Sequence, residues 1–146
     1  MNDPFDLQRF VTAQDAVYPL VVRELSEGAK RSHWMWFIFP QIAGLGESAM
    51  AQRYAIKSEA EAVGYLAHEV LGPRLVECTR LVLAVKGRTT NQILGSPDDM
   101  KFRSSMTLFA VTSEHPIFDQ ALLVYCDGGR DQATLDILQA MDHATR

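Results

Sequence analysis

Apolar side chains recur along most of the chain at the three- and four-residue spacing of an amphipathic helix. Phe102, Met106 and Phe109 form one such stripe, and Phe118 and Leu122 begin the next. No Asn-Gly or Asp-Gly turn joins two alternating apolar runs, which is the usual mark of a β-hairpin. The pattern therefore predicts an all-α fold, a compact single-domain bundle of many short helices.

Residues that favour helix ends divide these stripes into short helices. Ser, Asp and Pro are typical of a helix start, and Gly is typical of the position just beyond its end. Ser58 and Glu61 have the spacing of a capping box. Ser96 precedes Pro97 and two carboxylates, which makes it the strongest predicted helix start. The predicted N-caps are Asp3, Ser58, Ser96 and Asp131, and the predicted terminating glycines are Gly28, Gly87 and Gly128.

The segment from His33 to Pro40 is ambiguous because it is apolar almost throughout. Periodicity cannot separate a buried strand from a buried helix in such a run. Pro40 ends the element in either case. A helix is the favoured interpretation, since no neighbouring segment offers a strand to pair with.

Length and composition limit the class of protein. The 146 residues are 47% hydrophobic and 22% charged, which is typical of one globular domain spanning residues 1–146 and excludes a disordered chain. The net charge of −4 argues against a nucleic-acid partner, and no apolar run is long enough for a membrane span. We expect a cytoplasmic protein, because the first residues lack a secretory signal pattern. No histidine pair or Cys–His cluster has zinc-ligand spacing, so no metal or cofactor is predicted.

Three motifs carry a family resemblance. They are the run from Lys30 to Gln41, the glycine turn from Gly44 to Ser48, and the run from Met100 to Phe109. Together they resemble the bacterial domain of unknown function 1810 family, whose members often carry the label "calpastatin". The resemblance implies a compact all-helical domain and no established activity. The label conflicts with the composition, because a true calpastatin is a long, polar, disordered inhibitor.

The segment from Lys30 to Ser48 is the first candidate site. It combines cations with two tryptophans, whose rings could stack on a planar group. A glycine turn then precedes a short helix, and free backbone N–H groups at such a place can bind an anion. The alternative is an aromatic core segment followed by an ordinary turn. The candidate ligand-binding residues are Lys30, Trp34, Trp36, Gln41, Gly44, Gly46, Ser48 and Tyr54.

The candidate catalytic residues are His33, Lys101, Ser104 and Ser105. His33 could transfer a proton near neutral pH. Lys101 shares a helix side with the two serines and could hold an anion that a serine hydroxyl also binds. The alternatives are a structural histidine and a buried serine hydroxyl bonded to a backbone carbonyl one turn earlier.

Two aspartates have both a structural and a functional interpretation. Asp131 is predicted to cap the last helix, and Asp98 is predicted to face the dipole of its own helix. Either carboxylate would face a shared cleft if these helices converge in space, which the sequence cannot show.

The favoured hypothesis is a small helical protein with one polar pocket for an anionic or nucleotide-like small molecule, with hydrolysis of that molecule as the reaction to test. The alternative is a non-enzymatic protein–protein interaction module, in which Trp34 and Trp36 are exposed anchors. No membrane partner is expected, and the oligomeric state stays open.

Overall fold

The computed structural model describes residues 2–144, with side chains through residue 142, and this part of the chain forms ten α-helices. A single isolated bridge between Ile42 and Ile56 is the only β pairing within these residues. The predicted all-α fold is confirmed. The helices are α1 Gln8–Asp15, α2 Tyr18–Glu27, α3 Met35–Ile38, α4 Ala49–Arg53, α5 Glu59–Ala67, α6 Leu71–Ala84, α7 Thr90–Leu94, α8 Asp98–Thr112, α9 Pro116–Cys126 and α10 Gln132–Ala144.

Helix α8 lies at the centre of the fold and packs against α5, α7, α9 and α10. Phe102, Met106 and Phe109 are fully buried, as the apolar stripe predicts. Ser105 and Thr107 on other sides of the helix are also fully buried. The middle of the helix, residues 104–110, is buried on every side and belongs to the core, whereas Met100, Arg103 and Val111 are exposed. Its position brings its N-terminal end against the segment that follows α2.

Most predicted helix ends lie close to the observed ones, but α1 begins at Gln8, five residues after the predicted cap Asp3, whose carboxylate accepts from the backbone N–H groups of Leu7 and Gln8. Gly28 ends α2 with φ of 70°, a left-handed conformation that glycine adopts without strain. Ser96 does not cap α8, which begins at Asp98 after a cis Ser96–Pro97 peptide bond. Ser58 does cap α5, whereas the Glu61 carboxylate accepts from the backbone N–H of Lys57.

The buried face of α5 does not include Val63. Val63 is 48% exposed, whereas Ala62 and Tyr65 are fully buried. The apolar residues of this helix cover more than one side, so their spacing alone does not identify the core face. The face that carries Tyr65 is the buried one, because the Tyr65 ring packs edge-on against Phe10 with the ring centroids 5.0 Å apart.

The ambiguous apolar segment forms α3, a helix of only four residues. Trp34 and Phe39, which flank it, are buried in the core together with Met35 and Ile38. The favoured helical interpretation was therefore correct. Among the described residues, no helix is both long and apolar enough to cross a lipid bilayer.

Candidate functional site

Two adjoining hollows lie where the segment after α2 meets the N-terminal end of α8. They share Trp36, Pro97 and Lys101 as a common wall. The basic hollow has a volume of about 300 Å³ and is also lined by Lys30, Arg31, His33 and Asp98. The acidic hollow has a volume of about 390 Å³ and is also lined by Gln41, Glu47, Ser48, Ser104 and Asp131. Each volume falls within the range typical of small-molecule sites.

The basic hollow holds more positive than negative charge. Asp98 is shared by two lysines: its Oδ2 lies 2.8 Å from Nζ of Lys30, and its Oδ1 lies 3.6 Å from Nζ of Lys101. Arg31 adds a third cation, paired only with the exposed Glu27 at 3.0 Å. One carboxylate therefore faces two ammonium groups within the cleft. An anion entering this hollow would meet incompletely neutralised charge in a partly buried position, where electrostatic interactions are screened less than at the surface.

A buried carboxylate outside the cleft shapes the segment that carries these cations. Oε1 of Glu24 accepts hydrogen bonds from the backbone N–H of Arg31 at 2.9 Å, the backbone N–H of Ser32 at 3.1 Å and Nε1 of Trp34 at 3.0 Å. Its Oε2 accepts from Oγ of Ser32 at 2.7 Å. Burial alone would raise the pKa of Glu24, but these hydrogen bonds outweigh burial and lower the pKa to about 2.

Trp36 is the aromatic wall between the two hollows. The ammonium of Lys101 lies over its ring, 4.8 Å from the centroid, in a cation–π arrangement. This contact holds Lys101 at the boundary of the hollows. It also means that one face of the Trp36 ring already carries a cation, so less of the ring is free to stack on a base than the sequence suggested.

Asp131 is the central residue of the acidic hollow. Its Oδ2 accepts from Oγ of Ser104 at 3.0 Å, from the backbone N–H of Thr134 at 3.2 Å and from Oγ1 of Thr134 at 2.6 Å. Its own backbone N–H donates to Oγ1 of Thr107 at 2.9 Å. Within the described residues, Oδ1 of Asp131 has no hydrogen-bond partner. The carboxylate is therefore fixed through one oxygen, and the other is left as an acceptor.

A family model described as a protein of unknown function (DUF1810) matches residues 4–138. The chain belongs to the DUF1810 family. A crystal structure at 1.38 Å of the conserved hypothetical protein Rv1873 from Mycobacterium tuberculosis is similar, with a TM-score of 0.93 and 54% identity. The match covers 94% of this chain and 99% of that one. No curated protein matches the chain.

In this DUF1810 chain, the fold brings together most of the residues proposed from the sequence. The two predicted segments form the two walls of one cleft. His33 is exposed and shares the basic hollow with Lys30 and Lys101. Gln41, Gly46, Ser48 and Ser104 lie in the acidic hollow, and Trp36 borders both.

Trp34 and Ser105 do not line either hollow, which corrects two of the proposed roles. Trp34 is 1% exposed, and its indole N–H donates to Glu24, so it is a core residue and not a ligand contact. Ser105 is fully buried, and its Oγ has no hydrogen-bond partner among the residues that the structure describes. A ligand in the cleft cannot reach it, and the expected bond to a backbone carbonyl is not present either.

Gly44 and Tyr54 lie beside the acidic hollow, around a void of about 20 Å³ that is too small for a ligand. The glycine turn has a structural explanation. Gly44 has a φ of 103°, and a Cβ on Gly46 would lie 2.8 Å from Cβ of Ala51. One of the free amides at the start of α4 is already used, because Oγ of Ser48 accepts from Ala51 N at 3.1 Å. The expected anion site at this turn is not supported.

Glu24 was not predicted from the sequence as a residue that shapes the site, although its position on an apolar helix face was a signal. Glu24 lies between Val21 and Leu25 on the buried face of α2, where a charged residue is out of place unless it is bonded. For Asp98 and Asp131 the sequence left open a helix-start role and a place in a shared cleft, and both side chains line the cleft. Among the described residues, no group of three His, Cys, Asp or Glu side chains is arranged to hold a metal ion.

Proposed function

We propose that this protein binds an anionic small molecule of the phosphate or nucleotide class in the cleft between the segment after α2 and the start of α8. The observation that carries the proposal is the sharing of Asp98 by Lys30 and Lys101, at 2.8 and 3.6 Å. A phosphate group would supply the additional negative charge that this arrangement lacks. Phosphate oxygens also accept several hydrogen bonds from ammonium groups at once.

The position of α8 adds to this preference. Its first turn contains Asp98 and Asp99, and its N-terminal end, which carries the positive end of the helix dipole, borders the basic hollow through Pro97 and Asp98. The helix has 15 residues, long enough for its dipole to develop. The dipole contributes less to anion binding than the lysines do, because the Asp98 carboxylate already compensates part of its positive potential.

Hydrolysis of the bound molecule is the reaction that we propose to test. His33 would transfer a proton, and Lys101 would hold the anion, because both side chains line the basic hollow. Ser104 would contribute a hydrogen bond as an acceptor. Its Oγ donates to Asp131, so it is not free to act as an unaided nucleophile. Release of inorganic phosphate from nucleoside monophosphates and diphosphates is the assay.

The test of binding is a thermal-shift titration with inorganic phosphate and AMP. A ligand at about 100 times its Kd adds about 2.7 kcal/mol of stability, which raises Tm by about 5–10 °C for a chain of this size. Lys101→Met should abolish that rise, because it removes the ammonium common to both hollows. Lys57→Met is the matched control, since Lys57 is exposed and lies outside the cleft.

The alternative of a protein-interaction module loses its proposed anchors. It required exposed tryptophans, whereas Trp34 is 1% exposed and Trp36 lies partly buried beneath Lys101. An absence of any thermal shift with phosphate and AMP would refute the anion proposal. A pull-down experiment would then become the next test of function.

A further inference from the structure

The two hollows differ in charge although they share a wall. The basic hollow is lined by Lys30, Arg31 and Lys101 and by one carboxylate, Asp98, while Arg31 is also paired with Glu27 outside the lining. The acidic hollow sets two carboxylates, Glu47 and Asp131, against the shared lysine. A ligand that is anionic along its whole length would be attracted at one end and repelled at the other. The cleft therefore matches a molecule with one anionic end and one uncharged end.

The polar side chains of the acidic hollow determine which uncharged ligand groups can form hydrogen bonds there. An ionised carboxylate accepts hydrogen bonds and donates none, so the free Oδ1 of Asp131 needs a donor. The side-chain amide of Gln41 has no hydrogen-bond partner among the described residues and can both donate and accept. Hydroxyl groups of a ligand can donate to Oδ1 of Asp131 and can both donate to and accept from the amide of Gln41. A ligand ammonium would meet the charge of Lys101, which lines the same hollow.

The spacing of the two binding regions limits the size of the ligand. Lys101 and Ser104 are three residues apart on α8, which is about 4.5 Å of helix rise. Ser104 donates to Asp131 at 3.0 Å, which places the Asp131 carboxylate beside the turn of α8 that follows Lys101. This separation suits one sugar ring or a short polyol chain attached to a single phosphate.

On these grounds, and resting on the proposed anion site, we infer that the ligand is a phosphate ester of a sugar or polyol. Its phosphate lies in the basic hollow against Lys30 and Lys101, and its hydroxyl groups donate to Asp131 and exchange hydrogen bonds with Gln41 in the acidic hollow. Asp131 is the specificity-determining residue for the hydroxyl end.

Isothermal titration calorimetry with three probes tests this assignment. Inorganic phosphate carries only the anion, butyl phosphate adds a chain without hydroxyls, and ribose 5-phosphate adds the hydroxyls. We expect ribose 5-phosphate to bind about tenfold or more tightly than the other two, because charge-assisted hydrogen bonds are the stronger class. Asp131→Asn should remove that advantage without weakening the binding of inorganic phosphate, because it removes no positive charge from the cleft. Asparagine is also a good N-cap, so α10 should be retained.

Asp136→Asn is the matched control, because Asp136 is exposed on the same helix and outside the cleft. Ser104→Ala is the second variant if Asp131→Asn does not fold, since it removes the bond that orients Asp131. Equal affinity for ribose 5-phosphate and butyl phosphate would overturn the inference and leave the anion site standing. Failure of all three probes to bind would overturn the proposed function and this inference together.

Discussion

Replacing Glu24 by glutamine tests whether a buried ionised carboxylate holds the segment that carries the cations of the cleft. Glutamine keeps the shape of the side chain and one acceptor oxygen but removes the charge. The wild-type carboxylate accepts four hydrogen bonds, from Arg31, Ser32 twice and Trp34. Glu24→Gln should therefore leave the fold intact and lower its stability.

The magnitude follows from the pKa of Glu24, which is lowered from 4.5 to about 2. A shift of that size corresponds to about 3 kcal/mol of preference for the charged form in the folded protein. Hydrogen bonds to a charged group exceed neutral ones by about 1 kcal/mol each, which for four bonds gives a similar figure. A loss of about 3 kcal/mol lowers Tm by about 6–12 °C in a chain of this size.

The pH dependence gives the sharper test. Because the folded pKa is depressed, the contribution of Glu24 is fully present above its unfolded value of 4.5 and is lost as pH falls toward about 2. Urea denaturation followed by tryptophan fluorescence should show a stability gap between wild type and Glu24→Gln that narrows from about pH 6 to about pH 3.

Glu27→Gln is the matched control, since Glu27 is an exposed neighbour in an ion pair with Arg31. That variant should change stability by less than about 0.5 kcal/mol at any pH. A gap for Glu24→Gln that stayed constant with pH would refute the reasoning, because the carboxylate charge would then not be the source of the stability.

Three further substitutions or modifications test the core around the cleft. Gly72→Ala should destabilise the protein by about 1–3 kcal/mol in urea denaturation, because a Cβ there would lie 2.1 Å from the carbonyl oxygen of Leu66. Ser105→Ala should be neutral or stabilising by up to about 1 kcal/mol and should not change phosphate affinity, since it removes a buried hydroxyl without a partner. Cys78 should resist Ellman's reagent in the native state far longer than the half-buried Cys126, because burial raises the pKa of Cys78 to about 12.

Each of these has a contrasting control. Gly87→Asn should be tolerated, because no atom lies within 4 Å of a Cβ at that position and asparagine accepts its φ of 75°. Ser104→Ala should lower stability where Ser105→Ala does not, since Ser104 bonds to Asp131. Rapid labelling of Cys78 in a Cys126→Ser background would contradict the described core.

The helices and their ends could be predicted from sequence because they depend on local interactions. Gly28 terminates α2 through its own left-handed backbone, and Ser58 caps α5 by bonding an amide three residues away. The apolar stripe of α8 likewise identified Phe102 and Phe109 as core residues. Such features depend on residues that are close in the chain, so they can be predicted without knowing the tertiary arrangement.

The cleft could be predicted only in part. The sequence identified the two segments that form its walls and the cations within them. It did not assign their counter-charges, because Asp98 and Asp131 are indistinguishable in sequence from ordinary helix-start residues. Glu24 was missed because its hydrogen-bond partners lie beyond the end of its own helix. They are backbone amides and an indole that come within reach only when the chain folds back after α2.

Ser104 and Ser105 show most directly what the tertiary structure decided. Adjacent residues on a helix point about 100° apart, so one of them borders the acidic hollow and the other lies in the core. The sequence cannot choose between them, because residues 104–110 are buried on every side of α8 and present no polar face that marks the exposed direction. Only the packing of the helices around α8 selects Ser104 for the cleft and leaves Ser105 enclosed.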